Sequence, residues 1–179
     1  MEFERIRPIK PIYYLEIAKA VARRSTCMMY TFGAVIVKND RIVAAGYNGA
    51  PVNCPNCSDD GACPLGGHRD PELCPSVDAE VNAIISAARE TILYGTMFVY
   101  GWDVQAGTMV PHPESSLQSQ RIIINSGLDE VIYADASGVG RSDAEGIHYG
   151  YRVLKVDDLV SQFNATLVRR HAAYGSTKL

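Results

Sequence analysis

Four cysteines fall within 21 consecutive residues, Cys54, Cys57, Cys63 and Cys74, and a fifth, Cys27, stands upstream. They lie in a stretch from Asn48 to Val77 that is rich in Cys, Pro, Gly and Asp and carries no strong periodicity. A segment of that length inside a compact domain needs something to hold it. In a secreted chain these cysteines would read as disulfides. Met1-Glu2-Phe3-Glu4-Arg5 shows no apolar run followed by a small-residue cleavage site, so no secretory signal is expected and a cytoplasmic setting is. There a Cys-x2-Cys pair followed by further cysteines reads as metal ligation by thiolates, with Cys27 and His68 as alternative ligands.

The rest of the chain is patterned for an α/β domain. An amphipathic helix is expected from Ile12 to Arg24, with Tyr14, Leu15, Ala18, Val21 and Ala22 inward. Strands over Phe32–Val37 and Ile42–Gly46, joined by the short polar Lys38–Arg41, form a hairpin. After the Cys-rich loop at 48–77, a helix starts at Asp78 with Val81, Ile84, Ile85 and Ala88 inward. Asp78 is suited to cap it. A strand over Thr96–Tyr100 leads into an irregular segment, Gly101–Glu114. A third helix runs from Ser115 or Ser116 to Gly127, a residue fit for the left-handed stop. A fourth strand spans Glu130–Ala134, and the tail is expected to hold a helix over Ala144–Leu154 and a strand over Ala165–Val168. Residues 1–179 are expected to form one domain, since that length supports a single core. With a net charge of only −3, a polymeric nucleic-acid footprint is not expected, and no stretch is long enough to span a membrane. A single nucleotide needs only a local pocket and remains open.

Several blocks carry a resemblance. They are Arg24-Ser25-Thr26-Cys27, Gly33-Ala34-Val35-Ile36-Val37-Lys38, Gly46-Tyr47-Asn48-Gly49-Ala50-Pro51, Glu72-Leu73-Cys74, Ala79-Glu80-Val81-Asn82-Ala83-Ile84 and Ile123-Ile124-Asn125-Ser126-Gly127-Leu128. In this order and spacing they resemble the deoxycytidylate (dCMP) deaminases. The resemblance implies a cytidine-deaminase-like fold: a three-layer α-β-α sandwich around a five-stranded mixed sheet. It also implies oligomers, a pyrimidine nucleotide as ligand, and a structural zinc that pins the Cys-rich loop with Cys27 among its ligands.

Zinc deaminases hold their catalytic metal with His-x-Glu at one helix start and Pro-Cys-x-x-Cys at another, and the Glu shuttles protons. By this resemblance the His position here is Asp78, the two Cys positions are Ser116 and Ser119, and Glu80 is retained. No catalytic zinc is therefore expected. A hydroxyl is a poor zinc ligand beside a thiolate, and one aspartate does not hold the metal tightly. Asp78 and Ser116 are also good N-cap residues. A metal relocated onto Asp78, Glu80 or Glu114 and His112 is the alternative, set against a solvent-exposed loop with a lone histidine.

Asn48 matches the position where the family contacts the sugar, though Asn-Gly is also a good turn. Glu80 is a candidate partner for a pyrimidine ring, or a first-turn charge that suits the helix dipole. Arg24, with Arg23, is a candidate phosphate contact or simply a helix-end cation. Trp102, the one tryptophan, is expected in a core or interface more than as a base-stacking platform. The leading expectation is a non-deaminating relative that binds a nucleotide or associates with an active deaminase. An enzyme of altered chemistry, an active deoxycytidylate deaminase, and an assembly protein with an empty pocket are the competitors.

Overall fold

The computed structural model describes residues 7–66, 73–111, 113–135 and 150–175, with side chains described as far as residue 165. Helix α1 (Lys10–Ala22) buries Ile12, Tyr14, Leu15, Ala18 and Ala22, close to the expected face, with Ile12 added and Val21 only partly covered. The hairpin is longer than expected, β1 (Tyr30–Lys38) and β2 (Arg41–Tyr47). Asn39 and Asp40 turn it with φ of 51° and 61°, the paired left-handed geometry that suits the twist of two-residue hairpins. Tyr14 donates to Asp40 Oδ1 at 2.7 Å and Lys10 pairs with Oδ2 at 2.8 Å, so the start of α1 is tied to the hairpin tip.

Strand β3 (Thr96–Asp103) runs antiparallel to β1, β5 (Glu130–Asp135) lies parallel to β3, and β6 (Gly150–Lys155) lies antiparallel to β5. The order is β2-β1-β3-β5-β6, the expected mixed five-strand path. A short β4 (Thr108–Met109) folds back on the end of β3, so part of the segment read as irregular is paired. Strand alternation divides the core in two. Val35, Val37, Phe98, Tyr100, Ile132 and Ala134 face α1. On the other face Ala34, Ile36, Met97, Val99, Val131 and Tyr133 meet α3 (Ala79–Ile85), α4 (Arg89–Ile92), α5 (Leu117–Ser126) and α6 (Val156–Gly175). No described helix is long and apolar enough to cross a membrane.

Three expectations are corrected. Residues 150–154, read as the end of a helix, belong to β6, while 144–149 lie outside the described residues. Residues 165–168, read as a strand, lie inside α6, whose first turn carries Asp157 and Asp158 where the helix dipole favours them. Residues 165–168 are a short apolar run, which periodicity alone does not assign. The buried face of α3 is Ala79, Glu80 and Ala83; of the expected inward residues Ile84 packs partly buried against the core, whereas Ile85 is 69% exposed and Ala88 lies beyond the end of the helix. The cause is close approach. A Cβ on Gly46 of β2 would lie 2.2 Å from Ala83 N and 2.7 Å from Ala79 O, so only small residues fit that seam.

Candidate functional site

The Cys-rich loop begins and ends at one clip. Gly49 and Val77 exchange two backbone hydrogen bonds, of 3.2 and 2.8 Å, which brings both loop ends beside the start of α3. Val77 thereby delivers Asp78 at the helix N-cap position. Asp78 does not cap its own helix, contrary to expectation: its carboxylate makes no cap bond. Instead its Oδ2 accepts from both Ser116 Oγ and Ser119 Oγ, each at 2.6 Å. Ser116 caps α5 as expected, accepting from Ser119 N at 3.1 Å while its own proton goes to Asp78. Ser119 is fully buried. Two helix starts are thus joined through one carboxylate and two hydroxyls, the three positions singled out in the sequence.

One step inward, Glu80 is 6% exposed and accepts from Ser115 Oγ at 2.7 Å. Ser115 shares a second hydrogen bond, 2.8 Å, with the Tyr133 hydroxyl on β5. Burial pushes the Glu80 carboxyl above the usual carboxylate range; the Ser115 bond opposes this, and the nearby Asp78 adds to it. The Tyr133 phenol is pushed up to about 12, first by burial and then by Glu80. Arg152 of β6 lies over the Tyr133 ring, 5.4 Å from its centroid, and donates to Pro113 O at 3.1 Å. It also stands 3.5 Å from Glu114 and 3.9 Å from the buried Asp135. This arginine fastens the segment that leads into α5.

The sequence alone does not mark Ser115, Tyr133 or Arg152 as site residues. Strand alternation turns Tyr133 toward α3 and α5, but nothing local in the sequence pairs Ser115 with Glu80. Glu114 is exposed and turned to Arg152, so it does not join Asp78, and His112 lies outside the described residues. Asn48 is committed to the backbone of β1: its Oδ1 accepts from Phe32 N at 2.7 Å and its Nδ2 donates to Tyr30 O at 2.9 Å. It acts as a turn clip whatever else it touches. Arg24 is exposed and makes no ion pair among the described residues.

Of the cysteines, Cys54 and Cys74 are exposed while Cys27, Cys57 and Cys63 are half-buried. The Cys57 thiol is pushed up by burial first, then by Cys27, Cys63 and Cys74. Ser58 N donates to Thr26 O at 3.1 Å, docking the loop's helical turn α2 (Cys57–Asp60) beside Cys27. Among the described residues no three His, Cys, Asp or Glu side chains are gathered closely enough to hold a metal ion as they stand. His68 lies outside them.

The chain is 34% identical over 141 residues to the deoxycytidylate deaminase of Mycobacterium phage D29, covering 73% of this chain and 98% of that one. It is 32% identical over 165 residues to the deoxycytidylate deaminase of Saccharomyces cerevisiae, covering 90% of this chain and 47% of the yeast protein. It spans less than half the length of the curated relatives from both budding and fission yeast. In fold it is similar to the dCMP deaminase of cyanophage S-TIM5, with a TM-score of 0.52 at 22% identity, over 73% of this chain and 86% of that one. That phage enzyme has also been solved in complex with dCMP and dUMP. Residues 9–135 match the family described as the cytidine and deoxycytidylate deaminase zinc-binding region, and the chain belongs to that family.

Proposed function

We propose that this protein is a non-deaminating member of the deoxycytidylate deaminase group, in which a hydrogen-bonded triad takes the place of the catalytic metal and a pyrimidine nucleotide is bound without being hydrolysed. The observation that carries the reading is that Asp78 Oδ2 accepts from both Ser116 and Ser119 at 2.6 Å. One carboxylate and two neutral hydroxyls are not the imidazole and thiolates that zinc selects, so this donor set does not fit a zinc ion. Without a metal to lower the pKa of a bound water, Glu80 has no hydroxide to form. Its bond to Ser115 supports a structural role, holding α3 to α5 and β5. The ligand reading rests on the family and on the persistence of Glu80 and the Gly-Tyr-Asn-Gly turn. In this reading the protein acts as an oligomer or beside an active deaminase.

A structural zinc in the Cys-rich loop is part of the proposal. The electrostatic influence of Cys27, Cys63 and Cys74 on the Cys57 thiol supports that set of four as the ligands. Four thiolates would supply a closed tetrahedral site, whose contribution is to folding. The test is dUMP and ammonia formation from dCMP, alongside metal analysis. The native protein is expected to give no turnover, while Asp78→His, Ser116→Cys and Ser119→Cys together are expected to add a second zinc. Robust turnover by the native protein, abolished by Glu80→Gln, would overturn the proposal.

A further inference from the structure

Trp102 is left unexplained by the deaminase centre. It lies on β3 two residues after Tyr100, and strand alternation puts both rings on the face covered by α1. That is the opposite face of the sheet from Asp78, Glu80 and Ser119, which belong with α3 and α5. Beside Trp102 the second half of α1 contributes the small side chains Ala20 and Ala22 between longer polar ones, and helix and strand leave a groove of about 540 Å³ between them. This volume falls in the range of roughly 300–1,000 Å³ typical of small-ligand sites.

The lining has two characters. Tyr100, 4% exposed, and Trp102, 37% exposed, form an aromatic floor, with the Thr31 hydroxyl across the strand pair. Lys19 on α1 and Arg23 at its C-cap, about one turn apart, form a cationic wall. Lys19 stands 5.9 Å from the Tyr100 ring centroid and 3.5 Å from Glu16, the one acidic side chain of the lining. Glu16 therefore offsets Lys19, while Arg23 is exposed and makes no ion pair among the described residues.

We propose that this groove binds a small anion carrying a flat ring, with the ring on Trp102 and the anionic group on Arg23. A planar guanidinium suits a phosphate or carboxylate, and a half-exposed indole offers the ring a stacking surface. The site does not depend on the proposed reading of the deaminase centre, because no residue is shared between them.

The protein reports on the groove itself, since Trp102 is its only tryptophan. Adenosine monophosphate is the probe, chosen because a purine is not the ligand proposed for the other face. Adenosine alone and inorganic phosphate alone separate the two halves of the interaction. Adenosine monophosphate is expected to quench Trp102 fluorescence saturably, and each half alone to act at least about tenfold more weakly. Arg23→Gln should weaken the monophosphate about tenfold, as loss of one charge-assisted contact implies. Glu80→Gln should leave the titration unchanged. Because Trp102→Phe removes the signal, its effect is read by calorimetry, where weaker binding is expected with circular dichroism unchanged. The proposal is overturned by an unsaturable titration, by equal affinity of native protein and Arg23→Gln, or by loss of quenching in Glu80→Gln. It is equally overturned if Trp102 fluorescence shifts with protein concentration alone, which would make the groove an interface between copies of this chain.

Discussion

Removing the Asp78 carboxylate tests whether two helix starts are held together by hydrogen bonds. In Asp78→Ala both bonds of 2.6 Å are lost, but their fates differ. Ser116 is exposed and finds water, so its loss is small. Ser119 is fully buried, and its hydroxyl is left without an acceptor, which costs ~1–3 kcal/mol. Adding the modest loss at Ser116, Asp78→Ala should destabilise by about 2–3 kcal/mol, roughly 4–12 °C in Tm for a chain of this size. Ser119→Ala removes the buried donor and leaves Asp78 partly exposed with Ser116 and solvent, so about 1–2 kcal/mol is expected. The double variant should cost little more than Asp78→Ala alone, because the stranded hydroxyl is gone. A coupling of about 1–2 kcal/mol should appear in a double-mutant cycle measured by urea denaturation. Additivity within ~0.3 kcal/mol, or a stabilising Asp78→Ala, would refute the reasoning.

The Glu80 carboxyl is raised above its unfolded value, so its contribution is full below the ordinary carboxylate range, near pH ~4, and falls as pH rises through the folded value. Glu80→Gln should therefore gain on the native protein as pH rises above the ordinary carboxylate range, read from urea midpoints across a pH series; a flat difference would contradict the burial argument. In Gly33→Ala the new methyl would lie 2.1 Å from Ala18 O and 2.5 Å from Ala22 N, both backbone atoms of α1 that cannot rotate away. A loss of ~2–3 kcal/mol is expected in thermal melts, and a neutral variant would show that α1 packs less closely on β1. Chelation, or Cys57→Ser, should raise protease cleavage within residues 48–77 while the sheet stays folded, whereas Cys54→Ser should not. Equal sensitivity of the two variants would remove Cys27, Cys57, Cys63 and Cys74 as the ligand set.

The family, the helix–hairpin–helix–strand order and the stops of α5 are legible from local spacing and from single residues such as Ser116 and Gly127. The sequence also marks Asp78, Glu80, Ser116 and Ser119. It does not determine what they do to one another. Asp78 reads as a cap for its own helix, since capping is a local habit of that residue type, yet its carboxylate serves the start of another helix about forty positions away. Only the crossing of α3 and α5 over one face of the sheet decides that. The same holds for Ser115 between Glu80 and Tyr133, and for Arg152, whose reach to Pro113 requires β6 beside β5. At the tail, residues 150–154 and 165–168 are too short to tell helix from strand by pattern alone. Pairing with β5 and packing of Leu159 against the core resolved them. Local chemistry sets where elements begin and end, while contacts between residues far apart in the chain exist only once the sheet has brought them together.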